Sequence, residues 1–99
     1  MKLSFHSAAR AELRSTKAFY RSRSPLAAIA FAQEIQSALL RIAESPLRYP
    51  PGESGTRVCV LPWRFPYTIV YYTVRDMVVI VAIAHQSREP GYWQDRLSE

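Results

Sequence analysis

The chain has 99 residues, 48% apolar and 21% charged, which suffices for one globular domain with a modest core and is too short for two. Its single cysteine, Cys59, excludes an internal disulfide framework, and no uninterrupted apolar run approaches the roughly 18 residues of a bilayer span. The formal charge of +5 rests on eleven Arg and two Lys, a bias toward planar guanidinium forks that suits phosphate or carboxylate partners, whether nucleic acid or an acidic protein segment.

Lys2 to His6 alternates polar and apolar residues, with Leu3 and Phe5 on one side, and predicts a short strand. The N-terminus carries no apolar stretch of signal-peptide type, so the expectation is a soluble cytoplasmic protein without a membrane partner. Ser7 is the expected N-cap of a helix from Ala8 to about Ser22. Ala9, Leu13, Thr16 and Tyr20 form its apolar stripe, and Arg10, Arg14, Lys17 and Arg21 a basic edge beside it. That edge reads either as a solvated face or as a docking surface for acidic groups.

Ser24-Pro25 marks a second helix start, Ser as N-cap and Pro at the first helical position. The helix should run from Leu26 to about Glu44, burying Ala28, Phe31, Ala32, Ile35, Leu39 and Ile42. The short connection implies an antiparallel hairpin, and the alanines permit close approach. Pro46 ends it, and residues 45–56, with three prolines and two glycines, form a loop. Arg57 to Leu61 predicts a strand that Pro62 interrupts, placing it at a sheet edge, and Trp63-Arg64-Phe65 is expected to resume pairing before Pro66. Tyr67 to Val74 is a strand rich in β-branched and aromatic residues, with Tyr71 and Tyr72 on opposite faces. Arg75-Asp76 turns the chain into Val78–Ala84, which is apolar on both faces and should be the central strand, covered on both sides. The order β-α-α-β-β-β describes an α+β domain, a helical hairpin packed on a mostly antiparallel sheet.

Past that strand the character changes. His85, Arg88, Tyr92, Trp93 and Arg96 fall within twelve residues. His85 either caps the sheet end with a ring nitrogen bonded to a carbonyl or serves as an acid–base group. Trp93 either folds back over the sheet or contacts a target, and Arg88 and Arg96 read as exposed cations. Cys59 reads as a small core residue. His6 and His85 are the only histidines, and no cluster of cysteines or carboxylates accompanies them, so neither a metal nor a cofactor is expected.

The residues Leu3-Ser4, Ala8-Ala9, Glu12-Leu13 and Tyr20, then Ala30, Phe31, Ile35, Ile42 and Pro46, then Arg57, Phe65-Pro66-Tyr67, Tyr71-Tyr72 and Val79-Ile80, and finally His85-x-x-Arg88-x-Pro90-x-x-Trp93-x-x-Arg96, run in an order and spacing that resembles the RelE/ParE superfamily. These are the toxin halves of bacterial type II toxin–antitoxin modules, often labelled plasmid stabilization proteins. The resemblance implies the β-α-α-β-β-β fold and one of two activities. ParE-like members poison DNA gyrase, whereas RelE-like members are ribosome-dependent mRNA endonucleases. The nucleases carry an arginine on the strand after the Pro-Tyr-like step, where this chain has Thr68, a neutral hydroxyl that cannot stabilise phosphorane charge. A nuclease here would rely on Arg88, His85 and Arg64. The favoured expectation is a ParE-like gyrase inhibitor without turnover of its own, turning Arg88, Trp93, Arg96 and Tyr92 toward its target; a member that has lost toxicity is the third possibility. The resemblance also implies a cognate ParD-like antitoxin whose acidic C-terminal segment lies along Arg10, Arg14, Lys17, Arg21, Phe31 and Ile35.

Overall fold

The helical hairpin is organised by one residue. Ser24 has an extended backbone (φ −165°, ψ 130°); its N–H donates to the Tyr20 carbonyl, and its hydroxyl accepts from Ala27 N–H. Thus Ser24 closes α1 (Ser7–Arg23) and opens α2 (Pro25–Glu44) in a computed structural model that describes residues 1–98. The cap of α1 is His6 rather than Ser7: the His6 Nδ1 accepts from Ala8 N–H at 3.0 Å. The reason lies in β1 (Lys2–Phe5), whose extended backbone continues through His6, with His6 N–H donating to the Ile80 carbonyl at 2.9 Å. Ser7 is therefore already the first helical residue.

After α2 the chain makes short 3₁₀ turns at Pro46–Arg48 and Glu53–Gly55 and enters β2 (Arg57–Val60), β3 (Tyr67–Val74) and β4 (Met77–His85). The Tyr71 hydroxyl donates to the Pro46 carbonyl, pinning the first of these turns to the sheet. The four strands lie in the order β1-β4-β3-β2, with β1 parallel to β4 and the other pairs antiparallel. The central position of β4 matches its two apolar faces. Trp63-Arg64-Phe65 does not resume pairing as expected: Phe65 N–H donates to the Pro62 carbonyl, closing a tight turn between the two prolines. Proline offers no ladder donor, and the buried Phe65 ring pulls the turn inward against Tyr20 and Phe31.

A bulge divides β4 into two halves. Val70 pairs with Ala82 and Tyr71 with Ile80, which leaves Val81 as an extra residue. Side chains alternate across a strand, so the extra residue shifts the alternation. Val78, Ile80 and Ile83 consequently all face the helices, in a core with Phe31, Ile35, Ile42, Ile69 and Tyr71. Val81, Ala82 and Ala84 face the opposite side, where Trp93 covers them together with Val70. By length and composition α2 also meets the criterion for a membrane span (mean hydropathy 1.3), because averaging dilutes Glu34 and Arg41; here it packs Phe31, Ile35, Ala38 and Ile42 into the core.

Candidate functional site

β1 is shorter than β4. Its last register pair is Phe5 with Ile80, so the remainder of β4 has no strand neighbour on that side. Open strand edges are adhesive, and backbone groups left buried without partners are costly. Here two side chains take the place of a strand. The Ile83 N–H donates to Glu12 Oε1 at 3.0 Å, and the Val81 carbonyl accepts from Arg96 Nη1 at 3.0 Å. Arg96 and Glu12 also hold each other through two parallel hydrogen bonds, each 2.9 Å. The bulge carbonyl and the N–H two residues on are thus joined by a forked ion pair that runs from α1 to the tail.

Tyr92 completes the cluster, its hydroxyl donating to Glu12 Oε2 at 2.7 Å. Four donors now surround one carboxylate, matching its acceptor capacity. Burial alone would raise the Glu12 pKa; the bonds from Arg96, Tyr92 and Ile83 N–H outweigh it and hold the carboxyl below its usual value. Burial first, and then the bond to the Glu12 anion, push the Tyr92 phenol up to about 12. The same ring carries Arg88, whose guanidinium carbon lies 3.8 Å from the ring centroid. Glu12 therefore holds Tyr92, and Tyr92 carries Arg88.

The tail residues named from the sequence separate into distinct roles. Arg96 is not an exposed cation: its side chain is 15% exposed and its fork is engaged by Glu12 and Val81. Trp93 folds back over the sheet and is buried, and the Tyr92 hydroxyl is occupied. Of the four residues named for target contact, Arg88 alone is exposed. His85 ends β4 and caps the following turn, its Nδ1 accepting from Ser87 N–H at 3.0 Å while the ring meets Tyr67 edge-on; the bond involves an N–H rather than a carbonyl.

Arg88 and the end of β4 line a groove of about 380 Å³ on the face of the sheet away from the helices, with Thr68, Val58 and Trp93 among its other walls. The His85 ring turns to the helical side with its register partner Tyr67, and His85 and Arg88 also line a concavity of about 330 Å³ against Glu12, Ser15 and Thr16 of α1. Arg64 is brought to neither. The Arg64 guanidinium lies 3.5 Å from Glu34 of α2 and packs over Phe65, on the helical side. Arg64 is engaged by Glu34 rather than turned to the groove, and Thr68 supplies no charge there.

The hairpin carries a second feature. Two adjoining concavities of about 350 and 360 Å³ run between α1 and α2, sharing Lys17 and Ala32. Leu13, Ile35 and Leu39 line one, and Arg21, Ala28 and Ile29 the other. Of the residues expected to meet an antitoxin, Lys17, Arg21 and Ile35 line this groove. Phe31 lies beneath it in the core, stacked on Tyr20, and Arg10 and Arg14 are exposed on α1 outside it. Glu12 stands in the family pattern, but the sequence assigned it no role in a site. The available signal was its place in the buried stripe, three residues after Ala9 and four before Thr16, where a carboxylate requires a cationic partner.

Fold and site together define the class: an α+β domain of the RelE/ParE type, with a helical hairpin over a four-stranded sheet and a C-terminal tail clamped to its central strand. A sequence profile for the ParE toxin of the type II toxin–antitoxin system parDE matches residues 3–90, and the chain belongs to that family. Among solved structures, a chain of the chromosomal ParDE toxin–antitoxin system of P. aeruginosa shares the fold with a TM-score of 0.73. The two are 21% identical, and the match covers 86% of this chain and 95% of that one. No curated protein matches the sequence significantly.

Proposed function

We propose that this ParE-family toxin stops growth by binding DNA gyrase, without catalysis of its own, and that a cognate ParD-like antitoxin neutralises it in the bacterial cytoplasm. One observation carries the reading against RNA cleavage. The groove beside Arg88 has the neutral Thr68 on its wall where a nuclease would carry an arginine, and Arg64 is engaged by Glu34 of α2. Cleavage at a 2′-hydroxyl needs a base, a proton donor and concentrated positive charge around one phosphate. A single exposed arginine stacked on a tyrosine suits recognition of a protein carboxylate. The α1–α2 groove, apolar inside with Lys17 and Arg21 at its side, suits an acidic amphipathic helix of the antitoxin.

Supercoiling by purified gyrase tests the proposal. The wild-type protein should inhibit it and trap cleaved DNA, an equimolar antitoxin should relieve the block, and Arg88→Ala should weaken inhibition at least tenfold. Codon-positioned cuts in translated mRNA that vanish in Arg88→Ala, with gyrase unaffected, would overturn it. Normal growth of cells expressing the toxin alone would show a member that has lost toxicity.

A further inference from the structure

The turn between β2 and β3 holds the most exposed aromatic residue of the chain. Trp63 is 91% exposed, whereas Trp93 is 7% exposed. Among the described residues the Trp63 indole has no ring, cation–π or hydrogen-bond partner. Tryptophan offers a large apolar area at small conformational cost, and rigid aromatic anchors dominate protein interfaces.

The mount is stiff. Pro62 and Pro66 bracket the turn, Phe65 N–H donates to the Pro62 carbonyl at 2.9 Å, and Leu61 N–H donates to the Tyr67 carbonyl at 3.1 Å. Phe65 is buried between Tyr20 and Phe31, with ring centroids 5.4 Å from each. Little backbone ordering is left for a partner to impose. The turn is also tied to the tail, because Gln86 N–H donates to the Pro66 carbonyl at 2.8 Å. The next turn, closed by Arg88 N–H to the His85 carbonyl at 2.9 Å, carries Arg88. Trp63 and Arg88 therefore stand on two turns bonded to each other at the same end of the sheet. Neither lines the groove between α1 and α2.

We infer that Trp63 is the apolar anchor of the target-contact face, entering an apolar pocket on the protein target while Arg88 engages a carboxylate at the pocket rim. The inference deepens the gyrase reading and rests on it for the identity of the target. Glu34 beside Arg64 and Glu89 beside Arg88 interrupt any continuous cationic track, which favours a protein over a nucleic-acid strand.

Trp63→Ala tests it, with Trp63→Phe as the conservative control. Trp63→Ala should keep its urea midpoint and bind the antitoxin within about twofold of wild type. Its gyrase inhibition should fall at least 30-fold and its growth arrest should disappear, while Trp63→Phe recovers much of both. Trp63 emission, taken as the difference between wild type and Trp63→Ala, should shift to the blue when gyrase is added. Full inhibition by Trp63→Ala, loss of antitoxin binding alone, or a blue shift with single-stranded RNA instead of gyrase would each overturn the inference. If the wild type arrests growth without inhibiting gyrase, the choice of gyrase fails by itself, and growth arrest by Trp63→Ala decides the role of the anchor. A wild type that does neither overturns both.

Discussion

Glu12 governs the tail through three accepted hydrogen bonds, two from Arg96 and one from Tyr92, and accepts a fourth from Ile83 N–H of β4. Glu12→Gln leaves Arg96 partly buried beside a neutral amide. Breaking such a pair from one side should lower stability by about 2 kcal/mol, seen as a reduced urea midpoint at unchanged slope. The pH dependence has two parts. The folded Glu12 carboxyl titrates below its unfolded value, so its contribution is full above the ordinary carboxylate range and is lost as pH falls through the lower folded value. Wild-type stability should therefore drop below about pH 4, and less steeply in Glu12→Gln. Tyr92 behaves oppositely: its pKa is raised from 10.0 to about 12, so its contribution is present below pH 10 and fades as pH rises through 12. Tyr92→Phe should remove that alkaline step.

At the scale of elements, the bulge in β4 makes one strand serve two layers. Without the extra residue at Val81, strict alternation cannot keep both Ile80 and Ile83 under the helices. Deleting Val81 would either turn Ile83 and the end of the strand to the opposite face or break the pairing of Ala82 to His85 with β3. The Glu12 and Arg96 partners of this segment would be misplaced in both cases. The expected outcome is loss of the cooperative fold, visible as collapsed amide dispersion in a heteronuclear NMR spectrum. Substituting Val81 by Ala keeps the bulge and should leave the spectrum well dispersed.

For the molecule as a whole, charge and shape are divided between faces. The net charge is +5, and Lys17 and Arg21 border the groove between α1 and α2. Attraction of an acidic segment acts mainly on encounter, while the apolar lining acts on retention. Raising ionic strength from about 0.1 M to 1 M shortens the screening length from about 10 Å to about 3 Å. The association rate with the antitoxin should fall more than tenfold over that range in stopped-flow measurements, with the dissociation rate nearly unchanged. An equal effect on both rates would show that the groove residues Leu13, Ile35 and Leu39 contribute little to retention.

Local chemistry made much of this architecture legible in the sequence. Ser24-Pro25 announced the break between the helices, the spacing of Phe31, Ile35 and Ile42 their buried face, and the run Val78–Ala84 the central strand. Each signal acts within a turn of helix or a few strand positions, where one residue's backbone preference or the period of a stripe suffices. The site was less legible because its partners are far apart in sequence. Glu12 and Arg96 are 84 positions apart, and only folding shows that both meet the open edge of β4. The bulge was hidden because a strand apolar on both faces has no alternation to betray a shift. Likewise, composition treats Trp63 and Trp93 alike. Tertiary packing distinguishes them, since Trp93 meets the uncovered face of the sheet while Trp63 sits on a turn whose inward position Phe65 already occupies.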